Sequence, residues 1–173
     1  MLKELLPRVR RIAVLWNAAV ASKAGDWREL QSAGQARGIV LQSREVRRPA
    51  ELDGAFGAVR KDRPDALLIL GDPMLFTLRG AIAEFAGKER LPAMYPWRSA
   101  VQAGGLIAYG ADAFDLIRRA AGYVDRILKG AKPADLPVQQ PTKFELAINL
   151  QAAKSLGMTV PPLLLLRAEH VIE

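Results

Sequence analysis

Five short apolar runs alternate with helix-like stretches between residues 11 and 110, and this alternation decides what the chain can fold into. The runs are Arg11–Trp16 (RIAVLW), Ile39–Val46, Ala66–Leu70 (ALLIL), Leu91–Tyr95 and Leu106–Tyr109 (LIAY). Ala66–Leu70 is continuously apolar, as in a strand covered on both faces, whereas Ile39–Val46 alternates apolar and polar and reads as an outer strand. Between them, Ser22–Arg37 places Trp27, Leu30 and Ala33 at helical spacing and stops at Gly38. Pro49 opens a second stripe of Leu52, Phe56 and Val59. Leu75–Lys88 reads as one helix and Ser99–Gln102 as a single turn. Strands alternating with helices give a parallel sheet with both faces covered. Right-handed crossovers make it doubly wound and flavodoxin-like. The expectation is an α/β lobe over residues 1–110 with a five-stranded parallel sheet.

The remaining residues depart from that repeat. Asp112 caps an amphipathic helix reaching Leu128, with Phe114, Ile117, Ala121, Val124 and Leu128 on one stripe and Gly130 as its stop. Residues 111–131 therefore stand apart from the repeat as a unit of their own. A Pro-rich linker, Lys132–Pro141, opens the final segment, 132–173, which carries a strand at Phe144–Leu150, a short helix at Gln151–Leu156 and a strand-like end at His170–Ile172.

Composition narrows the chemistry. The 173 residues contain no cysteine and one histidine, so no thiol nucleophile, thiolate metal site or core Ser–His pairing can be assembled. No P-loop and no G-x-G-x-x-G opens a helix, and no acid or histidine cluster has metal-ligand spacing. These absences point away from an enzyme and away from a metal or cofactor. The formal charge is +7, but the cations are scattered among acids with no recognition motif, so a solvated basic surface is expected and no nucleic acid. No apolar run approaches the roughly 18 residues of a membrane span. Leu2–Arg11 is charged and amphipathic, unlike a secretory leader.

In an open parallel sheet, ligands bind beyond the carboxyl ends of the strands. The loops there nominate Asn17 and Ser22 as holders of an anionic group, Asp72 as acceptor from an ammonium, Tyr95 and Trp97 as flat walls with a hydroxyl, and Tyr109 near a hinge. Asn17 and Asp72 fit equally well as caps or turn residues, and Tyr95 and Trp97 as closures of the core. Trp16 and Trp27 read as core and helix packing, and His170 as a surface residue.

The run from Tyr123 to Glu173 (YVDRILKGAKPADLPVQQPTKFELAINLQ and onward) resembles the C-terminal end of an uncharacterised family of ABC-transporter substrate-binding proteins. RIAVLWN at Arg11–Asn17, DALLILGDP at Asp65–Pro73, LPAMYPW at Leu91–Trp97 and GGLIAYG at Gly104–Gly110 are similar to it too, in order. The resemblance implies a two-lobed periplasmic binding protein of type I topology, periplasmic or lipid-anchored, delivering a small solute to an ABC permease. The solute expected from the mixture of aromatic walls with Asn, Ser and Asp is an amino acid or similar amphipathic molecule. By that comparison the chain corresponds to the second lobe and its return segments, and Asp112–Leu128 packs on a first lobe. Alone, it is expected to self-associate through that helix or to fold the helix back onto its own sheet. The alternative reading is an intracellular small-molecule sensor or regulatory module of the same fold.

Overall fold

The computed structural model describes all residues from Met1 to Glu173. The strands are β1 (Arg11–Asn17), β2 (Val40–Val46), β3 (Ala66–Ile69), β4 (Ala93–Tyr95), β5 (Ile107–Ala111), β6 (Phe144–Asn149) and β7 (His170–Ile172). The helices are α1 (Leu2–Leu5), α2 (Ala21–Gln35), α3 (Leu52–Asp62), α4 (Pro73–Thr77), α5 (Arg79–Lys88), α6 (Arg98–Gln102), α7 (Ala113–Leu128), α8 (Leu150–Ser155) and α9 (Pro162–Leu165). Strand order is β2-β1-β3-β4-β5-β6-β7, with the first five strands parallel. That is the doubly wound order the alternation implies, with β2 at the edge as its polar alternation requires.

The five-strand expectation needs one correction. The return segments do not merely lie against the lobe: they extend its sheet to seven strands. β6 pairs antiparallel with β5, and β7 parallel with β6. The physical reason is the open edge of β5, whose backbone groups would otherwise stay unpaired. The expected single helix Leu75–Lys88 is also two, α4 and α5, which meet at Leu78 where the backbone leaves helical geometry (φ −86, ψ 3).

Alternation along the strands divides the core between the two faces. Ala13, Leu15, Leu67, Ile69, Ala93, Tyr95, Ala108 and Ala147 pack beneath α3, α4, α5 and α6. On the other face, Ile12, Val14, Trp16 and Ala66 lie under α2, where Trp27 stacks on Trp16 at 6.2 Å. Ile107, Leu146 and Ile148 lie under α1, α8 and α9. Trp16 and Trp27 are thus packing residues.

α7 is the exception. Asp112 caps it by accepting from the amides of Phe114 (3.0 Å) and Asp115 (3.1 Å), and Lys143 reaches the same carboxylate at 2.9 Å. Lys143 and the first-turn amides hold the Asp112 carboxyl below the usual carboxylate range. Yet none of the helix's residues is buried. The helix has not folded back onto the sheet. The Pro-rich segment returns beside it, held by the Tyr123 hydroxyl donating to the Pro137 carbonyl (2.6 Å) and by Arg119 donating to Thr142.

Candidate functional site

The carboxyl ends of β1, β3 and β4 bring three of the six nominated residues, Asn17, Asp72 and Trp97, near one another. β1 and β3 are neighbours, so Asn17 and Asp72, 55 positions apart, meet: the Asn17 amide donates to Asp72 Oδ2. Both are buried and internally satisfied. Asn17 Oδ1 accepts from the Ala19 amide (2.9 Å), and Asp72 Oδ1 accepts from Leu75 N (2.7 Å) as the cap of α4. Their capping role is therefore in place. What it adds to the site is a braced floor, in which a buried charge holds two loops at fixed positions.

The turn after β4 rests on that floor because two glycines make room. A Cβ on Gly71 would stand 3.0 Å from the Pro96 ring and 3.3 Å from the Trp97 indole. A Cβ on Gly110 would run into the Pro96 carbonyl. With hydrogen at both positions, Pro96–Trp97 sits down against the ends of β3 and β5. Trp97 then meets the Phe76 ring edge-on, with centroids 5.3 Å apart. Phe76 belongs to α4, the helix that Asp72 caps, so the buried Asn17–Asp72 pair is linked to Trp97 through α4.

Beside it lies a cleft of about 290 Å³. Phe76, Trp97 and Phe114 supply aromatic walls; Arg98, Ser99 and Glu145 supply polar groups. Phe76 and Phe114 are exposed for rings of their size. Glu145, buried on β6, holds Arg98 Nη1 at 3.0 Å and His170 Nε2 at 3.1 Å through one oxygen. The Arg98 guanidinium carbon stands 5.3 Å from the Phe114 ring centroid.

Three nominated residues lie elsewhere. Tyr95 is 1% exposed, and its ring turns back toward Gly105, at the amino end of β5. It belongs to the core face under α6, where burial pushes its phenol up. A strand residue at the level of Ala108 points wherever the pleat sends it, and here that is inward. Tyr109, next to Ala108, faces the opposite side and stacks on Phe144 at 5.7 Å. Ser22 is exposed on the first turn of α2.

Phe76, Arg98, Phe114 and Glu145 were not nominated from the sequence, and His170, expected on the surface, is half-exposed but bound to Glu145. One signal was available: Glu145 is the one charged residue in the strand FELAIN, and a buried carboxylate needs a partner.

No curated protein matches the chain in sequence. Among solved structures, a conserved domain protein from Vibrio cholerae O1 biovar El Tor is similar at 28% identity and a TM-score of 0.90, over 98% of this chain and 57% of that one. The ABC domain from Streptococcus pneumoniae in complex with L-Trp is similar at 25% identity and a TM-score of 0.90, over 99% and 58%. The ligand-free, open form of a substrate-binding protein with adhesive properties from Clostridium difficile shares the fold at 18% identity and a TM-score of 0.70. The chain thus spans 57–58% of the length of the first two. Residues 1–172 match the family of ABC transporter substrate binding proteins. The chain belongs to the ABC transporter substrate-binding protein family.

Proposed function

We propose that the carboxyl-end cleft is one jaw of a site that binds a small solute without turnover, for delivery to an ABC permease outside the cytoplasmic membrane. The observation that carries this reading is the aromatic-walled cleft of Phe76, Trp97 and Phe114 at the carboxyl ends of a parallel sheet, where ligands of such sheets bind, with the Asn17–Asp72 pair bracing the loops beneath it. The solute class is an amino acid or similar amphipathic molecule. Flat walls at Phe76, Trp97 and Phe114 suit a planar apolar part, and the polar groups between them suit a charged one. The similar Streptococcus structure, solved with L-Trp, supports the same class.

The other jaw is proposed to come from residues beyond the shared length, which also supply the surface that α7 covers. Residues 1–110 then act as the ligand-binding lobe, 111–131 as the crossover and 132–173 as the return. Tyr109 and Ser22 lie outside the cleft and are proposed to contact solute only on closure. No helix of the chain is long and apolar enough to cross a membrane.

Thermal-shift screening of the full-length gene product against amino acids, nucleosides and sugars tests the reading. A ligand that binds only the folded state adds about 2.7 kcal/mol at a hundred times its Kd, a readily measured rise in Tm. L-Tryptophan and related amino acids are expected to raise it. A melting point unmoved by every class removes the reading.

A further inference from the structure

We infer that Arg98 and Ser99 form an anion subsite within this cleft, so that the solute is a carboxylate whose flat apolar part lies against Trp97 and Phe114. The inference rests on the reading of the cleft as a solute jaw and adds the charge class of what it holds.

Arg98 is fixed on one side and open on the other. Its Nη1 is committed to Glu145 at 3.0 Å and lies 2.6 Å from His170 Nε2. Its Nε and Nη2 take no protein partner. Those two N–H groups point in parallel along one edge of the guanidinium, the edge that receives a carboxylate with both oxygens. The side chain is only 23% exposed, and its plane is supported by the Phe114 ring. A fork held on its far side by a buried acid loses little freedom when an anion docks.

Ser99, the next residue, supplies an independent observation. Its Oγ is buried and has no hydrogen-bond partner, yet the residue lines the same cleft. A buried hydroxyl without a partner is costly, and an acceptor that enters the cleft beside Arg98 would satisfy it after a turn of the Ser99 side chain. Glu145 does not cancel the site. It neutralises the guanidinium, and so lowers the cost of holding a cation there, but it occupies only the Nη1 side.

The test is a binding series on the full-length gene product with three probes: L-tryptophan, indole-3-propionate, which keeps the carboxylate and lacks the amine, and tryptamine, which lacks the carboxylate. The wild type is expected to prefer both carboxylates over tryptamine. Arg98→Gln should weaken the two carboxylates by on the order of 10- to 100-fold and leave tryptamine nearly unchanged. Arg98→Lys, which keeps the charge and loses the fork, should fall between, and Ser99→Ala should cost the carboxylates several-fold. Should Arg98→Gln fail to fold with Glu145 unpaired, the double variant Arg98→Gln/Glu145→Gln removes both charges and gives the same comparison. Equal loss of all three probes, or no loss of any, overturns the anion subsite and leaves the solute jaw standing. If no probe and no member of the wider panel binds the wild type, the jaw reading falls and the subsite with it.

Discussion

Helices α5 and α7 look like the same kind of object in sequence and end in opposite environments. Both carry apolar residues at helical spacing among charges. α5, with 10 residues, buries Ile82, Ala83, Phe85 and Ala86, and Phe85 stacks on Phe56 at 3.9 Å. α7, with 16 residues, buries none, leaving Ile117 67% and Leu128 82% exposed. An amphipathic stripe states that a face seeks a partner, and nothing local states which partner. In α5 the partner is the sheet, two short connections away. α7 instead leaves the end of β5 under a firm cap at Asp112 and is aimed off the sheet. The apolar face of this well-capped helix is therefore a surface that the lobe itself leaves uncovered.

The sharpest way to break this contrast is Ile82→Ala. Ile82 has no exposure, and deleting its buried methyl groups should cost roughly 2–5 kcal/mol in chemical denaturation. A cost near zero would mean that α5 is no better packed than α7. Gly110→Ala comes next. A Cβ there must displace the Pro96 carbonyl, so the turn carrying Trp97 should lift, with a stability loss of about 1–3 kcal/mol and weaker solute binding in the full-length protein. Unchanged binding would detach Trp97 from the site. Asp72→Ala removes the cap of α4 and orphans the Asn17 amide, for roughly 1–2 kcal/mol by thermal unfolding. Asp72→Asn should recover only the capping part of that, because its amide oxygen still caps Leu75 while its NH2 group faces that of Asn17.

These variants also mark what was legible in the sequence. The order of strands and helices followed from periodicity, which is local, and the strand tips followed from the rule for parallel sheets. Asn17 and Asp72 could be nominated singly, since each ends an apolar run. Their bond to each other depends on β1 lying beside β3, which no short window contains. The meeting of Arg98, Glu145 and His170 was hidden for the same reason. They converge only because β6 runs back along β5 and β7 lies beside β6. Tyr95 failed differently: its position at a strand end was right, and its direction depended on which face the pleat assigned it.

A smaller effect sits at the opposite end of the sheet, where Asp65 accepts from the amides of Arg10 and Arg11, both at 2.8 Å. The Arg10 amide first, and then that of Arg11, hold its carboxyl below the usual range. A depressed carboxylate pKa stabilises the fold above the unfolded-state value of about 3.9, and that part is lost as pH falls below it. Asp65 is exposed, so the contribution should stay under about 1 kcal/mol. Asp65→Asn should flatten the acid limb of the stability profile below pH 4 by that amount. An unchanged limb would show that the two amides are held equally well by other acceptors.

The smallest expected effect is the one that most directly tests α7. Ile117→Ala removes as much hydrocarbon as Ile82→Ala, but from a position already in water, so the 173-residue chain should change in stability by less than about 0.5 kcal/mol. The same exposure predicts association. Light scattering on the isolated chain should show self-association, and Ile117→Asp with Val124→Asp should reduce it without altering the melting of the lobe. In the full-length protein the result should invert: there Ile117→Ala should destabilise, because the face has found its partner. A cost of 2 kcal/mol or more in the isolated chain would mean that α7 docks on its own sheet in solution, and the contrast with α5 would disappear. A negligible cost in both forms would leave the apolar stripe without a partner anywhere, and the second jaw would have to be held by some other contact.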